Sequence, residues 1–370
     1  MRYTRVIPPV ALLATLTACT HTSAPTFNPT PQPTRPGQAV IAAGDRETSR
    51  TPRDGEYAVR VNIRSNGGLT ADRRTGEIYV PLAGDGGRQI AKIERDGRIT
   101  MLAIGMAGAQ LAVSGDRLWQ LASYAGLQLS RTSLSSLERT EVLGSEQDRH
   151  PRFKLLDRSG KALPASETER LHEEWKGAQF TVRDDGVPIL LSRSGRLFEV
   201  AGRDVLKRSE PPGYEAALRE LGRTGDFQAT DLTIDGARRL LVLGETGLLR
   251  VGSGGGVQVT RFPASARQAP PWTAAVPLSG GDVLLLGGVS PLQEKPRPAL
   301  VTRHGELQML SLGPLKDCEG FDGSMADVAS ADPGGVAEVP GGRFVMLNRF
   351  CGLVYSFRPP LNPSGVPYRR

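Results

Sequence analysis

The sequence predicts an all-β fold assembled from small antiparallel sheets, and three observations predict it. Apolar runs such as Ile78–Val80, Ile90–Ile93 and Ile99–Leu102 are too short for helices and are bounded by turn formers. Turn dipeptides join them. Asp96-Gly97 supplies the positive backbone torsions of a tight hairpin, and its flanks supply the two strands. The same phrase then recurs to the end of the chain, and one such meander cannot bury its own faces, so the copies must stack on one another. A composition with 44 Gly, 28 Pro and only 23% charged residues fits a turn-rich β chain.

The first copy runs from Gly68 to Leu102. A second follows at Gln110–Trp119 and Leu127–Leu134, and a third at Gln179–Val200. The fourth spans Asp231–Val251, the fifth Ala274–Val301 and the sixth Val336–Tyr355. Marked by Gly76, Gly115, Gly186, Gly236, Gly281 and Gly342, the intervals are 39, 71, 50, 45 and 61 residues. Blades of a propeller repeat at roughly 40–50 residues, so the two long intervals are expected to contain insertions. The first insertion, Glu146–Lys176, is polar, and Ala165–Lys176 reads as a short helix. Gly213–Leu221 is a second helical candidate, and Leu315–Gly335 a third insertion.

Gly68-Leu69-Thr70-Ala71-Asp72 followed by Gly76-Glu77-Ile78-Tyr79-Val80 resembles the NHL-type blade phrase, although Pro81-Leu82 stands where that family usually places Ala-Asp. The resemblance implies a six-bladed β-propeller over residues 56–360 with a C-terminal tail at 361–370. A seven-bladed ring, with Lys154–Leu163 in a degenerate blade, is the alternative. A propeller must close its ring or leave edge strands exposed. The alternating Tyr57, Val59, Val61 and Ile63 make Glu56–Ile63 the expected closing strand of the last blade.

Ahead of the copies, Arg2 and Arg5 precede an apolar run, Val6–Leu16, that is too short to span a bilayer. The run ends in Leu16-Thr17-Ala18-Cys19, which resembles the lipobox of bacterial lipoproteins. That resemblance implies a signal peptide at residues 1–18, lipid (thioether-linked diacylglycerol and palmitate-type acyl chains) on Cys19, and a lipid anchor on the extracytoplasmic face of the cell membrane. Several acyl chains on one residue hold a protein stably to a bilayer. Residues 19–55, with Pro25, Pro29, Pro31, Pro33 and Pro36 among Thr, Ser and Gln, read as a tether too poor in apolar area to order itself.

The formal net charge of +7 drops to about +5 when Arg2 and Arg5 leave with the signal peptide. The excess is scattered and not interleaved with aromatics, so nucleic acid is not an expected partner; weak attraction to anionic lipid or cell-wall polymers is. A monomer is expected. Beyond Cys19 there are only Cys318 and Cys351, an even pair in a chain expected outside the cytoplasm, so a disulfide is expected between them.

Chemistry is sparsely signalled. There is no phosphate loop, no His-Glu-x-x-His, no zinc pattern of paired cysteines and no Gly-x-Ser-x-Gly. One acidic group, Asp317, Glu319, Asp322, Asp327 and Asp332, offers hard oxygen ligands suited to Ca2+, although Gly323 and Ser324 do not fall in EF-hand order. Six-bladed propellers resembling lactonases hold a divalent metal in their channel, which is what the resemblance would imply for those acids. Asp72, Asp184 and Asp231, with Arg183, end candidate inner strands and are candidates for the channel mouth; turn capping is the competing role. His172 and Trp175 on the first insertion could cover the channel, while Trp119 and Trp272 read as core. Two classes stay open: a membrane-anchored binding or scaffold module for a protein, peptide or glycan, and a metal-dependent propeller hydrolase, lactonase or lyase. With four histidines in the whole chain, general acid–base chemistry has few carriers and binding is favoured.

Overall fold

A computed structural model describes residues 31–65, 67–84, 88–123, 126–144, 153–222, 227–263, 272–287, 298–310, 323–324, 328, 333–349 and 351–360. It is a six-bladed β-propeller. The first strand, β1 (Ala39–Ala43), belongs to the last blade. Blade 1 is β2 (Thr70–Ala71), β3 (Ile78–Pro81), β4 (Ile90–Ile93) and β5 (Ile99–Leu102). Blade 2 is β6 (Gln110–Ser114), β7 (Arg117–Ala122), β8 (Gln128–Ser133) and β9 (Arg139–Leu143). Blade 3 contains β10 (Lys154–Leu156), helix α1 (Ala165–Glu174), β11 (Gln179–Val182), β12 (Pro188–Leu191), β13 (Leu197–Gly202) and β14 (Val205–Arg208). Helix α2 (Tyr214–Gly222) leads to blade 4, which is β15 (Ala229–Ile234), β16 (Leu240–Gly244), β17 (Gly247–Val251) and β18 (Val257–Arg261). Blade 5 is β19 (Trp272–Pro277), β20 (Val283–Gly287), β21 (Ala299–Val301) and β22 (Leu307–Met309). Blade 6 is β23 (Pro333–Val339), β24 (Arg343–Asn348) and β25 (Leu353–Phe357), completed by β1.

Both faces of each blade are covered by a neighbour, which is why the middle strands read as unbroken apolar runs rather than alternations. Val283–Gly287 and Leu353–Phe357 are buried at every position. The six apolar clusters of the core accordingly sit in the seams between blades. One joins Leu191 and Leu197 of blade 3 to Val242 and Leu249 of blade 4, and another joins Leu241 and Leu243 of blade 4 to Val283 and Leu285 of blade 5. The Asp96-Gly97 turn forms as its sequence demands. Gly97 has φ +82°, its N–H donates to the Glu94 carbonyl at 2.8 Å, and Asp96 Oδ1 accepts from the Arg98 N–H at 3.0 Å.

The ring does not close with the expected segment. Glu56–Ile63 forms no ladder strand; Ala58–Arg60 is a short 3-10 turn, and Ala58, Val61 and Ile63 bury themselves in the seam between blades 6 and 1. β1 closes the ring instead, pairing antiparallel with β25 in the register Ala39 to Phe357, Val40 to Ser356 and Ile41 to Tyr355. Period-two alternation fitted Glu56–Ile63, but Val59 is 40% exposed, and the backbone of Ala58 is spent on Gly44 and Gly97, both at 2.8 Å. The segment is a plug between two blades. The fold therefore extends into the expected tether: Pro33 is buried, Arg358 Nε donates to its carbonyl at 2.8 Å, and residues 39–43 form a strand. The expected signal peptide and Cys19 lie outside the described residues.

Both expected helices form. α1 does not make a lid: Leu171 and Trp175 are buried in the seam between blades 2 and 3, and Trp175 meets Phe153 and Phe198 edge-on at 6.1 and 5.1 Å. The side chain of His172 lies outside the described residues. Lys154–Leu156, the kernel of the seven-bladed alternative, is a fifth strand added parallel to β14 at the outer edge of blade 3. α2 fills the seam between blades 3 and 4, where Tyr214 is fully buried and its hydroxyl donates to the Gly195 carbonyl at 2.7 Å. Trp119 and Trp272 are core, as read from the sequence. No described helix is long and apolar enough to cross a membrane.

Candidate functional site

Each inner strand, β2, β6, β11, β15, β19 and β23, is laddered on one side only, so its other backbone edge faces the propeller axis. Neighbouring inner strands touch around the full circle, including β23 against β2. They enclose a channel of about 660 Å³. Its upper rim is where the inner strands begin and its lower rim where they end.

The lower rim is charged, but its charges answer one another. Asp72, directly after β2, is 6% exposed and accepts from the Arg74 N–H at 2.8 Å, with the Arg74 guanidinium 3.3 Å away. Burial alone would raise its pKa; the Arg74 N–H and guanidinium outweigh that and hold the carboxyl below its ordinary value. Arg74 also reaches across to the Gly115 carbonyl of blade 2 at 3.0 Å. Arg73 approaches Glu338 of blade 6 at 3.7 Å, and Asp184 of blade 3 takes Arg238 of blade 4 at 2.8 Å. Arg183 is held by Asp185 at 3.1 Å and Glu199 at 3.7 Å. Turn capping and blade-to-blade latching therefore use up this rim.

Asp231 differs. It is the third residue of β15, inside the channel rather than at the lower rim with Asp72 and Asp184. Its Oδ1 accepts from the Leu232 N–H and its Oδ2 from the Ala275 N–H on β19, each at 2.8 Å, so it brackets blades 4 and 5. Among the described residues no cation pairs with it. Burial pushes its pKa up to about 6, against the pull of the two amides. The three aspartates picked from sequence all line the channel, yet they do not converge.

Sequence reasoning missed the upper rim. Gln110 and Gln179, the first residues of β6 and β11, line it with Thr230, Thr273 and Arg349. Gln110 Nε2 donates to the Ala178 carbonyl at 2.9 Å, stitching blade 2 to blade 3. Thr230 Oγ1 donates to the Trp272 carbonyl at 2.9 Å, and Thr273 Oγ1 is buried with no hydrogen-bond partner among the described residues. The signal was present: these are polar residues at the starts of otherwise apolar copies. Gly334 lacks a side chain because a Cβ there would fall 2.5 Å from Arg349 Cγ.

Asp317, Glu319, Asp322, Asp327, Asp332 and Cys318 lie outside the described residues. Their described neighbours Gly323 and Ser324 sit against the start of β1, with the Ala39 N–H donating to the Gly323 carbonyl at 2.8 Å. Among the described residues no three His, Cys, Asp or Glu side chains are grouped to hold a metal. Cys351 is buried at 7% exposure in the seam between blades 5 and 6, and its N–H donates to Asn348 Oδ1 at 3.0 Å.

No family model and no curated protein matches the chain. Solved structures do. A Bacteroides thetaiotaomicron protein of unknown function aligns with TM-score 0.55 at 9% identity, covering 86% of this chain and 75% of that one. Virginiamycin B lyase from Staphylococcus aureus gives 0.49 at 13%, covering 80% and 97%. The calcium-binding protein regucalcin from Agrobacterium tumefaciens gives 0.45 at 12%, covering 87% and 100%. At such identities the likeness is one of fold.

Proposed function

We propose that the protein is an extracytoplasmic lipoprotein, held to the membrane by lipid on Cys19, whose propeller channel is a binding module for a peptide or glycan. The observation that carries the binding half is the channel wall. It offers one-sided strand edges and, at the upper rim, neutral polar side chains beside Arg349, while the charged groups of the lower rim are engaged with each other. An acid–base enzyme needs several titratable groups of perturbed pKa converging on one point. Among the described residues only Asp231 combines a raised pKa with a place in the channel, and two backbone amides already hold it. The lipoprotein half is supported by the order and position of Arg2, Arg5, the apolar run and Leu16-Thr17-Ala18-Cys19. A disulfide between Cys318 and Cys351 belongs to the same reading and is tested by peptide mapping without reductant.

The test is a screen of the full chain against peptides and cell-wall glycan fragments by ligand-detected NMR, repeated with Thr181→Tyr, which places a ring in the channel wall at β11. Binding that the variant abolishes supports the reading; binding indifferent to it sinks the channel as the site. Metal analysis with calcium-dependent melting addresses the hydrolase, lactonase or lyase alternative. Stoichiometric calcium that raises the melting temperature would move the site to the Asp317–Asp332 acids.

A further inference from the structure

The geometry points to a phosphate-binding cleft at the seam of blades 6 and 1, on the lower face, that receives the head group of an anionic membrane lipid. This rests on the lipid-anchored reading and adds to it which face of the propeller meets the bilayer. The cleft is a pocket of about 70 Å³ whose wall includes Arg95 from the β4–β5 turn, Arg343 at the start of β24, and Pro31 and Gln32. Arg358, just after β25, lies close by: its Nε donates to the Pro33 carbonyl, and burial together with the charges of Arg358 and Arg95 pushes the Arg343 pKa down. Three guanidinium groups thus crowd one seam. Among the described residues none of the three forms an ion pair. Arg343 Nε donates to the Pro340 carbonyl at 3.2 Å, and Arg95 is exposed. Among the described residues the one carboxylate on the wall, Glu94, is already held by Lys92 at 3.2 Å and Thr100 Oγ1 at 2.8 Å. Planar guanidinium forks match phosphate oxygens, and three guanidinium groups with no carboxylate partner among the described residues leave a counter-charge to be supplied.

The course of the chain selects the lipid over a free anion. Gly37 donates to the Arg358 carbonyl at 3.1 Å and Arg358 to the Gln38 carbonyl at 3.0 Å, so residues 33–38 are clamped to the lower end of β25, and Pro31 and Gln32 sit on the wall of this cleft. From Cys19 to Pro31 a fully extended chain spans at most about 40 Å. A lipidated Cys19 therefore keeps the cleft within reach of the bilayer surface, and the lower face of the propeller is the one presented to it. The upper rim then opens away from the membrane.

The experiment follows amide exchange of the full chain mixed with vesicles of phosphatidylcholine alone or with one-third phosphatidylglycerol. The cleft predicts that amides of residues 94–98 and 341–343 exchange several-fold more slowly on the anionic vesicles alone. It also predicts that 0.5 M NaCl removes the protection, and that Arg95→Gln and Arg343→Gln each reduce it about fivefold. Among the described residues Arg95 makes no hydrogen bond, and it is exposed, so Arg95→Gln leaves the fold intact. Association with both vesicle types without anionic-specific protection overturns the cleft and leaves the anchor standing. Association with the anionic vesicles only, lost in Arg95→Gln, supports the cleft and removes the anchor. Millimolar inorganic phosphate protecting the same amides while anionic vesicles do not overturns the lipid assignment.

Discussion

Leu69 and Gly334 lock the ring: the Leu69 N–H on blade 1 donates to the Gly334 carbonyl on blade 6 at 2.7 Å, joining the innermost strands of the first and last blades. The adjacent Gly335 has φ +126°, and a Cβ there would stand 2.6 Å from the backbone N and O of Leu69. Gly335→Val is expected to cost about 3 kcal/mol, combining backbone strain with overpacking at the closure. Gly342→Ala, at φ +66° with nothing within 4 Å, should cost about 1 kcal/mol. Urea denaturation of the two variants checks the difference.

The closing strand makes a sharper prediction about truncation. A chain beginning at residue 31 keeps β1 and should melt as the full chain does. One beginning at residue 44 exposes the edge of β25 and uncovers Tyr355 and Phe357, and should aggregate on concentration. Light scattering during a thermal ramp separates the two, and equal behaviour would show that β1 is dispensable.

Asp231 supplies a pH signature. Its native pKa of about 6 exceeds the unfolded value near 3.8, so the folded state holds the proton more tightly. The stability this contributes is fully present below the unfolded value and is lost as pH rises through about 6. Other carboxylates act oppositely: Asp72 and Glu94 are held low, and their contributions fade as pH falls through their native values. The difference between wild type and Asp231→Asn isolates the first effect. The melting temperature of the variant should gain on wild type between about pH 4 and 6.5 and run parallel to it above. A constant offset across that window would remove Asp231 as the titrating group.

Arg250 ties blade 4 to blade 5 from a fully buried position, 1% exposed, with Nη2 donating to the Val301 and Thr302 carbonyls at 3.3 and 2.8 Å. No carboxylate contacts it among the described residues, and burial draws its pKa down. Arg250→Ala leaves a cavity and two carbonyls short of a donor, for an expected loss of about 4 kcal/mol. Arg250→Met fills most of the volume and removes a buried charge, so about half that loss is expected. If Met proves as costly as Ala in urea titrations, the hydrogen bonds rather than the volume carry the position.

Much of the architecture was readable because its causes are local. The turn at Asp96-Gly97, the apolar runs of Leu240–Leu243 and Val283–Leu286, and the helices at Ala165 and Tyr214 follow from residue type and spacing within a dozen positions. Copy number followed from their recurrence. The candidate site is only partly legible: Asp72, Asp184 and Asp231 stand out as acids near turns, but their depth in the channel does not, Gln110 and Gln179 read only as starts of strand copies, and Thr273 lies outside the copies read from sequence.

By itself the sequence determined the fold class and the recurrence of six copies, since each depends on short-range pattern; the seven-bladed alternative fell only when the structure placed Lys154–Leu156 at the outer edge of blade 3. Only the tertiary structure decided which segment closes the ring, which charges satisfy one another and which acid stands alone inside the channel. Closure pairs Ala39 with Phe357, residues more than three hundred positions apart, and alternation cannot distinguish a strand at Glu56–Ile63 from a plug between two blades. Likewise Asp184 is neutralised by Arg238 of the next blade, whereas among the described residues Asp231 meets only backbone amides. Whether a charge has a partner depends on which blades lie side by side, and the ring sets that.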